Sequence, residues 1–275
     1  MKIAAFYENI CDGVQAAGLS MEDTLSALRD EGMERLYISV ESWKRDGKTL
    51  QGILRRQRIP LEGMHGFCDF PGNPDSGEYR DMIDRAADSG AEHLLFVPGM
   101  LKGGNTLRDL QRMVDGMRRA VAYGQSKGLP ILMEDYDGLL APYNCMAGLQ
   151  YFLQQVDGLE CAFDTGNLVL YHEDELAALD WFAPRIRTLH LKDRCAAPRH
   201  TGDMPLRCAD GSSVYCCAVG SGDIRMARIL ERLKQLGYAG SVIAELYCID
   251  PAAVLQDLRQ SIRWLRARGI GETEN

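Results

Sequence analysis

Apolar and polar positions alternate in blocks along this chain. A short apolar run, a polar loop and a stretch with apolar residues three and four apart recur roughly every 25 to 35 residues, as βα units do. The apolar runs are IAAFY (3–7), RLYISV (35–40), EGMHGF (62–67), HLLFV (93–97), PILME (130–134), ECAFD (160–164), RTLHL (187–191) and SVIAE (241–245). Between them lie helix-period stretches. In 20–32, Ser20 can cap the start, Leu25 and Leu28 share a face, and Gly32 offers a left-handed stop. In 106–128, Leu107, Leu110, Met113, Val114, Met117 and Val121 define an apolar face, with Gly128 after the end. The stretch 252–269 is the last helix, and IGETEN (270–275) reads as a frayed tail.

Strict alternation of strand and helix calls for a parallel sheet, and eight repeats without a linker allow that sheet to close. The expected class is α/β, with residues 1–275 forming one (β/α)8 barrel domain. The rival is an open doubly wound sheet, which shares the local pattern. Against it, no GxGxxG turn follows the first run, and polar residues cluster at the C-terminal ends of several runs, which converge on one mouth in a barrel.

Composition narrows the functional classes. With 46% hydrophobic and 25% charged residues the chain has ordinary soluble proportions. No run approaches the ~18 apolar residues of a membrane span, and the opening MKIAAFYENI meets Glu8 too early for a signal peptide, so a cytoplasmic protein is expected. The net charge of −8 disfavours nucleic acid and anionic membrane surfaces and favours a small-molecule partner. Nine scattered cysteines, including adjacent Cys216 and Cys217, form neither a disulfide framework nor zinc knuckles and are expected as reduced thiols.

The strand ends carry the chemistry. Glu134 closes the fifth run, Asp164 the sixth and Glu245 the eighth, while His190 lies near the end of the seventh. One acid after a strand is ordinarily a solvated loop residue, but four polar groups on consecutive strands are harder to dismiss. Carboxylates crowded at a barrel mouth raise one another's pKa values unless a cation neutralises them. Hard oxygen ligands with one imidazole suit Mn²⁺, Mg²⁺ or Co²⁺, with Zn²⁺ also admitted.

The segments ILMED, AFDTGN, TLHLKD, VGSGDI and VIAEL, in this order on strands five to eight, resemble the sugar phosphate isomerase/epimerase family of xylose isomerase-like TIM barrels, the D-tagatose 3-epimerase and inosose dehydratase group. The resemblance implies one divalent metal held by Glu134, Asp164, His190 and Glu245, with Glu134 and Glu245 as acid and base acting through an enediolate. It implies a small carbohydrate or cyclitol substrate, and it admits a homodimer or homotetramer. Epimerisation, isomerisation and dehydration stay open, as does a barrel that binds a sugar without turning it over. Many relatives carry DxxH after strand six, whereas this chain has Asn167 at the histidine position, so a histidine-rich trinuclear zinc site for DNA repair is not expected.

Further residues are candidates for substrate contact. His65 faces the mouth or packs in the core; Asn167 can bond a substrate hydroxyl; Lys192 and Asp193 orient the site or pair at the rim. In VGSGD (219–223), Asp223 would cap the following helix, and the backbone N–H groups near Gly220 and Gly222 either hold a phosphate or turn the chain. Arg194, Arg199 and Arg207 reach an anionic group or are solvated. Trp43 and Phe67 form an apolar wall against a sugar face or pack at the rim.

Overall fold

The computed structural model describes residues 1–271. Each apolar run of the sequence becomes a barrel strand. They are β1 (Lys2–Phe6), β2 (Arg35–Ser39), β3 (Leu61–Phe67), β4 (Leu94–Val97), β5 (Ile131–Met133), β6 (Glu160–Asp164) and β7 (Ile186–Leu191). After β7 come β8 (Asp193–Cys195), β9 (Leu206–Arg207) and β10 (Ser213–Cys217), and the barrel is completed by β11 (Ser241–Ala244). All barrel pairs are parallel, and β11 closes the ring between β7 and β1. Strands covered by helices outside and side chains inside are apolar on both faces, which is why they read as near-continuous hydrophobic runs.

The helices are α1 (Tyr7–Ala17), α2 (Met21–Glu31), α3 (Val40–Gln57), α4 (Glu78–Ser89), α5 (Thr106–Ser126), α6 (Met146–Gln155), α7 (Glu175–Phe182), α8 (Met226–Gln235) and α9 (Val254–Arg266). Ser20 caps α2 by accepting from the Asp23 N–H, and Gly32 ends it at φ 119°. α1, which the pattern did not single out, starts directly at the end of β1. Three local expectations are corrected. Leu107 sits in the first turn of α5 and points to solvent, 79% exposed, while Met113, Val114, Met117 and Val121 are buried. Asp223 does not cap α8, which starts at Met226 with Arg225 at the cap. Ile270 is fully buried and Gly271 N–H donates to the Met1 carbonyl at 3.0 Å, so the chain is docked up to that point; residues 272–275 lie outside the described residues.

Rings fill the barrel interior beneath the mouth. Tyr37 stacks on His65 at 5.3 Å, and both Phe6 and Tyr37 meet His190 edge-on at 5.1 Å. Lower down, a Cβ at Gly63 would lie 2.3 Å from His93 Nε2, so only glycine leaves room for that imidazole. The insertion after β7 folds as a small antiparallel sheet in the order β8, β10, β9. Cys195, Cys216 and Cys217 are buried in it, and all nine cysteines are free thiols.

Candidate active site

The C-terminal strand ends surround a cavity of about 720 Å³. Strand geometry delivers its polar floor. His190 pairs in register with Asp164 on β6 and with Ile243 on β11, so its ring projects inward between the two acidic strand ends. Glu134 and Glu245 are the first residues past β5 and β11, and Glu245 is fixed by its N–H donating to Leu191 O at 3.2 Å.

Glu134, Asp164 and His190 each place a donor atom within 4.8 Å of the other two. Glu245 Oε2 lies 3.2 Å from His190 Nδ1, and Glu134 Oε2 lies 2.8 Å from the same nitrogen. Glu134 Oε2, Asp164 Oδ2, His190 Nδ1 and Glu245 Oε2 are all buried, and their near polar neighbours are one another and the Lys192 ammonium. Three buried carboxylates crowded on one imidazole are costly unless positive charge is shared among them.

Electrostatics agree. Burial lowers the basicity of His190, but the carboxylates of Glu134 and Glu245 more than offset this and push its pKa up to about 10. Burial raises Asp164 to about 6, against the pull of Lys192. For Glu245, burial is outweighed by Lys192 and His190, which hold its carboxyl well below the usual range. The site demands positive charge.

Lys192 supplies part of it. Its buried ammonium lies 2.7 Å from Glu245 Oε1 and 3.0 Å from Asp164 Oδ2, and it donates to Asn167 Oδ1 at 3.1 Å. Burial works against this charge, yet Asp164, Glu245 and Asp137 hold the pKa well above the ordinary lysine value. Asn167 is fully engaged, since its Nδ2 donates to Asp135 O at 2.8 Å and its N–H to Asp164 Oδ1 at 3.0 Å. It lines the cavity as the prop of Lys192.

The structure brings Glu134, His190, Lys192, Asn167, His65 and Glu245 to one cavity, with Asp164 buried beside them. Asp193 is not among them. Its carboxylate turns away and accepts the backbone N–H groups of Arg194, Gly220, Gly222 and Ile224 at 2.8–3.3 Å. A Cβ at Gly222 would lie 2.3 Å from Asp193 Oδ1, so the glycine admits the clamp. The N–H groups considered for a phosphate are therefore satisfied by this acid. Trp43 lies on α3 in an outer groove with Arg55 and Arg58, away from the mouth. Arg199 donates to Ser221 O at 3.1 Å, Arg207 is solvent-facing, and Arg194 is buried behind Asn167.

Sequence reasoning passed over four acids, of which Asp12 is one that lines the cavity. Glu8 follows β1 and reaches the cavity wall, with Oε1 accepting from Ser39 N–H at 3.0 Å and Oε2 buried without a hydrogen bond. Asp135 is buried behind Asp164, and burial raises its pKa well above the ordinary range. Asp137 lines the cavity. The signal that marked Glu134 and Glu245, an acid just past a strand, was present at Glu8 as well.

A closed parallel barrel with polar groups gathered at its C-terminal mouth is an enzyme architecture. The chain matches the family described as xylose isomerase-like TIM barrel over residues 44–268, and it belongs to that family. Inosose dehydratase of Lacticaseibacillus casei is 25% identical over 138 residues, 49% of this chain and 46% of that protein, so the match spans about half of either. In structure, the probable 3-DHS dehydratase AsbF of Bacillus anthracis superposes with a TM-score of 0.75 at 12% identity, over 100% of both chains. D-psicose 3-epimerase, solved in the presence of D-fructose, gives 0.69 at 12% identity over 97% of this chain and 99% of that one. These two likenesses show the shared fold.

Proposed function

We propose that this chain is a divalent-metal-dependent enzyme that epimerises or isomerises a small keto-polyol, a sugar or cyclitol, by removing and returning the proton beside its carbonyl. The observation that carries this reading is the convergence of buried donor atoms from Glu134, Asp164 and His190, with Glu245 Oε2 3.2 Å from the same imidazole. Three carboxylate oxygens and one imidazole nitrogen fit Mn²⁺, Mg²⁺ or Co²⁺, and Zn²⁺ is compatible; manganese is the first to test.

When bound, the cation supplies Lewis-acid stabilisation of negative charge developing on the carbonyl oxygen. The protein's own residues move the proton. Glu134 and Glu245 stand on β5 and β11, with the β6 and β7 residues between them in the ring. One carboxylate accepts the proton from the carbon, whose electron pair shifts toward the carbonyl, and the other carboxyl returns a proton on the opposite face. One glutamate performing both transfers moves the carbonyl instead. Lys192, propped by Asn167, holds Glu245 in its charged form, and His65 offers a buried, unpaired Nδ1 at the wall to a substrate hydroxyl. The same reading makes the partner a small carbohydrate, places the protein in the cytoplasm as a homodimer or homotetramer, and gives no role to nucleic acid or membrane.

Dehydration is the second reading, supported by the 138-residue match to inosose dehydratase. Both are tested by reconstituting metal-free protein with single cations and incubating it in D₂O with ketoses and keto-cyclitols. Metal-dependent loss of the C–H signal supports proton abstraction, and growth of conjugated-ketone absorbance assigns dehydration. Saturable binding without exchange under any cation would sink both and leave a binding protein.

A further inference from the structure

The cavity above the donor set is built in two layers. Its floor carries Glu134, His190, Lys192 and Glu245, and the rest of the lining includes the apolar Phe67, Val97, Tyr136, Met204, Tyr247 and Ile249. Phe67, Met204 and Tyr247 keep 49%, 59% and 47% of their surface exposed. They come from the end of β3, the segment between β8 and β9, and the loop after β11, so three separate segments bring exposed apolar surface to one cavity. Large apolar side chains gathered around a cleft mark a binding surface. Tyr247 joins the layers, its ring centre lying 5.7 Å from Lys192 Nζ. The Met204 N–H donates to Cys248 O at 3.0 Å, which ties its segment to the loop after β11.

Volume and charge specify the occupant. About 720 Å³ is far more than one sugar or cyclitol ring fills, and cavities of several hundred Å³ enclose ligands of drug size. Glu8, Asp12 and Asp137 add negative charge to the lining, and Lys192, already paired with acids, is the sole lysine or arginine among the described lining residues. Apart from the proposed metal, which the three floor carboxylates already neutralise, the described lining offers a phosphate or carboxylate no free cation and sets Glu8, Asp12 and Asp137 against it. The glycine turn offers no substitute, because Asp193 holds its N–H groups.

We propose that the substrate is an uncharged keto-polyol ring bearing an apolar, ring-sized substituent, as in an aryl glycoside, with the polyol on the acidic floor and the substituent between Phe67, Met204 and Tyr247. This rests on the proposed function only in seating the polyol on the floor. Calorimetric titration of the metal-loaded full chain with phenyl glucoside, methyl glucoside and glucose 6-phosphate tests it. Phenyl glucoside binds at least about tenfold tighter than methyl glucoside, as burial of an aromatic ring predicts, and glucose 6-phosphate binds weakest. Phe67→Ser and Met204→Ser each shrink the phenyl preference while leaving methyl glucoside affinity in place. Equal affinities, no saturable phenyl glucoside binding, or a preference that survives both variants would overturn the proposal. So would dissociation of an oligomer by Phe67→Ser in sedimentation, since a second copy would then cover the rim. Proton exchange in D₂O decides the proposed function separately, so either idea can fail alone.

Discussion

The ammonium of Lys192 lies 2.7 Å from Oε1 of Glu245, inside the ring of donors that a cation would share. Two unit charges about 4 Å apart interact by ~4 kcal/mol at an effective dielectric constant of about 20. Lys192 therefore offsets the negative charge of the donor set and competes with a bound metal. Lys192→Met is expected to tighten Mn²⁺ binding at least about tenfold in competition with a fluorescent chelator, while turnover falls because Glu245 loses the partner that keeps it charged. Loss of metal from a folded variant would show instead that the lysine builds the site.

Asp164 brings a buried carboxylate to the donor set from the end of β6, and its other oxygen accepts the N–H groups of Gly166 and Asn167 at 2.7 and 3.0 Å. Asp164→Asn keeps the shape but removes a charged oxygen, so metal content should fall steeply while the far-ultraviolet circular dichroism stays that of the parent. Unchanged stoichiometry by elemental analysis would remove Asp164 from the ligand set.

Asp193 is expected to act on stability. Its carboxylate serves four backbone N–H groups, three of them in the 220–224 turn. Hydrogen bonds to a charged group are worth ~1.5–3 kcal/mol each, so losing all four in Asp193→Ala should lower Tm by roughly 10 °C or more, and Asp193→Asn by less. If Asp193→Asn abolished turnover with Tm unchanged, the residue would instead serve the substrate.

The barrel was legible because its strands are largely buried on both faces and read as apolar runs, three of which close on an acid at Glu134, Asp164 and Glu245. Side-chain direction was harder to read. Lys192 and Asp193 are adjacent, and the alternation of an extended chain sends one into the cavity and the other toward the glycine turn; the linear order does not say which. Trp43 and Leu107 have the hydrophobicity of core residues, but their place on a helix surface depends on neighbours far away in sequence. The β8–β10 sheet pairs segments that carry no strand period, so its register exists only in the folded molecule.

His93 sets an acid limit on the fold. Burial pushes its pKa down from 6.5 to about 3, so the folded barrel holds it neutral while the unfolded chain protonates it near 6.5. Its contribution to stability is complete above about 6.5 and is lost as pH falls from there toward 3. Each unit between the two values is worth about 1.4 kcal/mol. His93→Phe, which keeps a ring against Gly63, should lose less stability than the parent between pH 6.5 and 4 in urea titrations. Parallel pH profiles for the two proteins would refute this.

Glu134 and Glu245 should differ in which face of the carbon they serve. They follow β5 and β11 with Asp164 and His190 between them in the ring, so under the proposed mechanism a substrate seated on the floor would present one face to each. Glutamine keeps an oxygen for the metal but cannot accept a proton, which makes Glu→Gln the informative change. Each variant should lose at least about 10²-fold in turnover, the low end for general acid–base catalysis. Metal content, measured alongside, should be retained in part. For an epimerase, Glu134→Gln should still exchange the proton of one epimer with D₂O, and Glu245→Gln that of the other. If one variant loses both exchanges while the other keeps both, a single glutamate does all the proton transfer and the reaction is aldose–ketose isomerisation. Turnover and exchange at parental rates in both variants would remove the glutamates from the chemistry altogether.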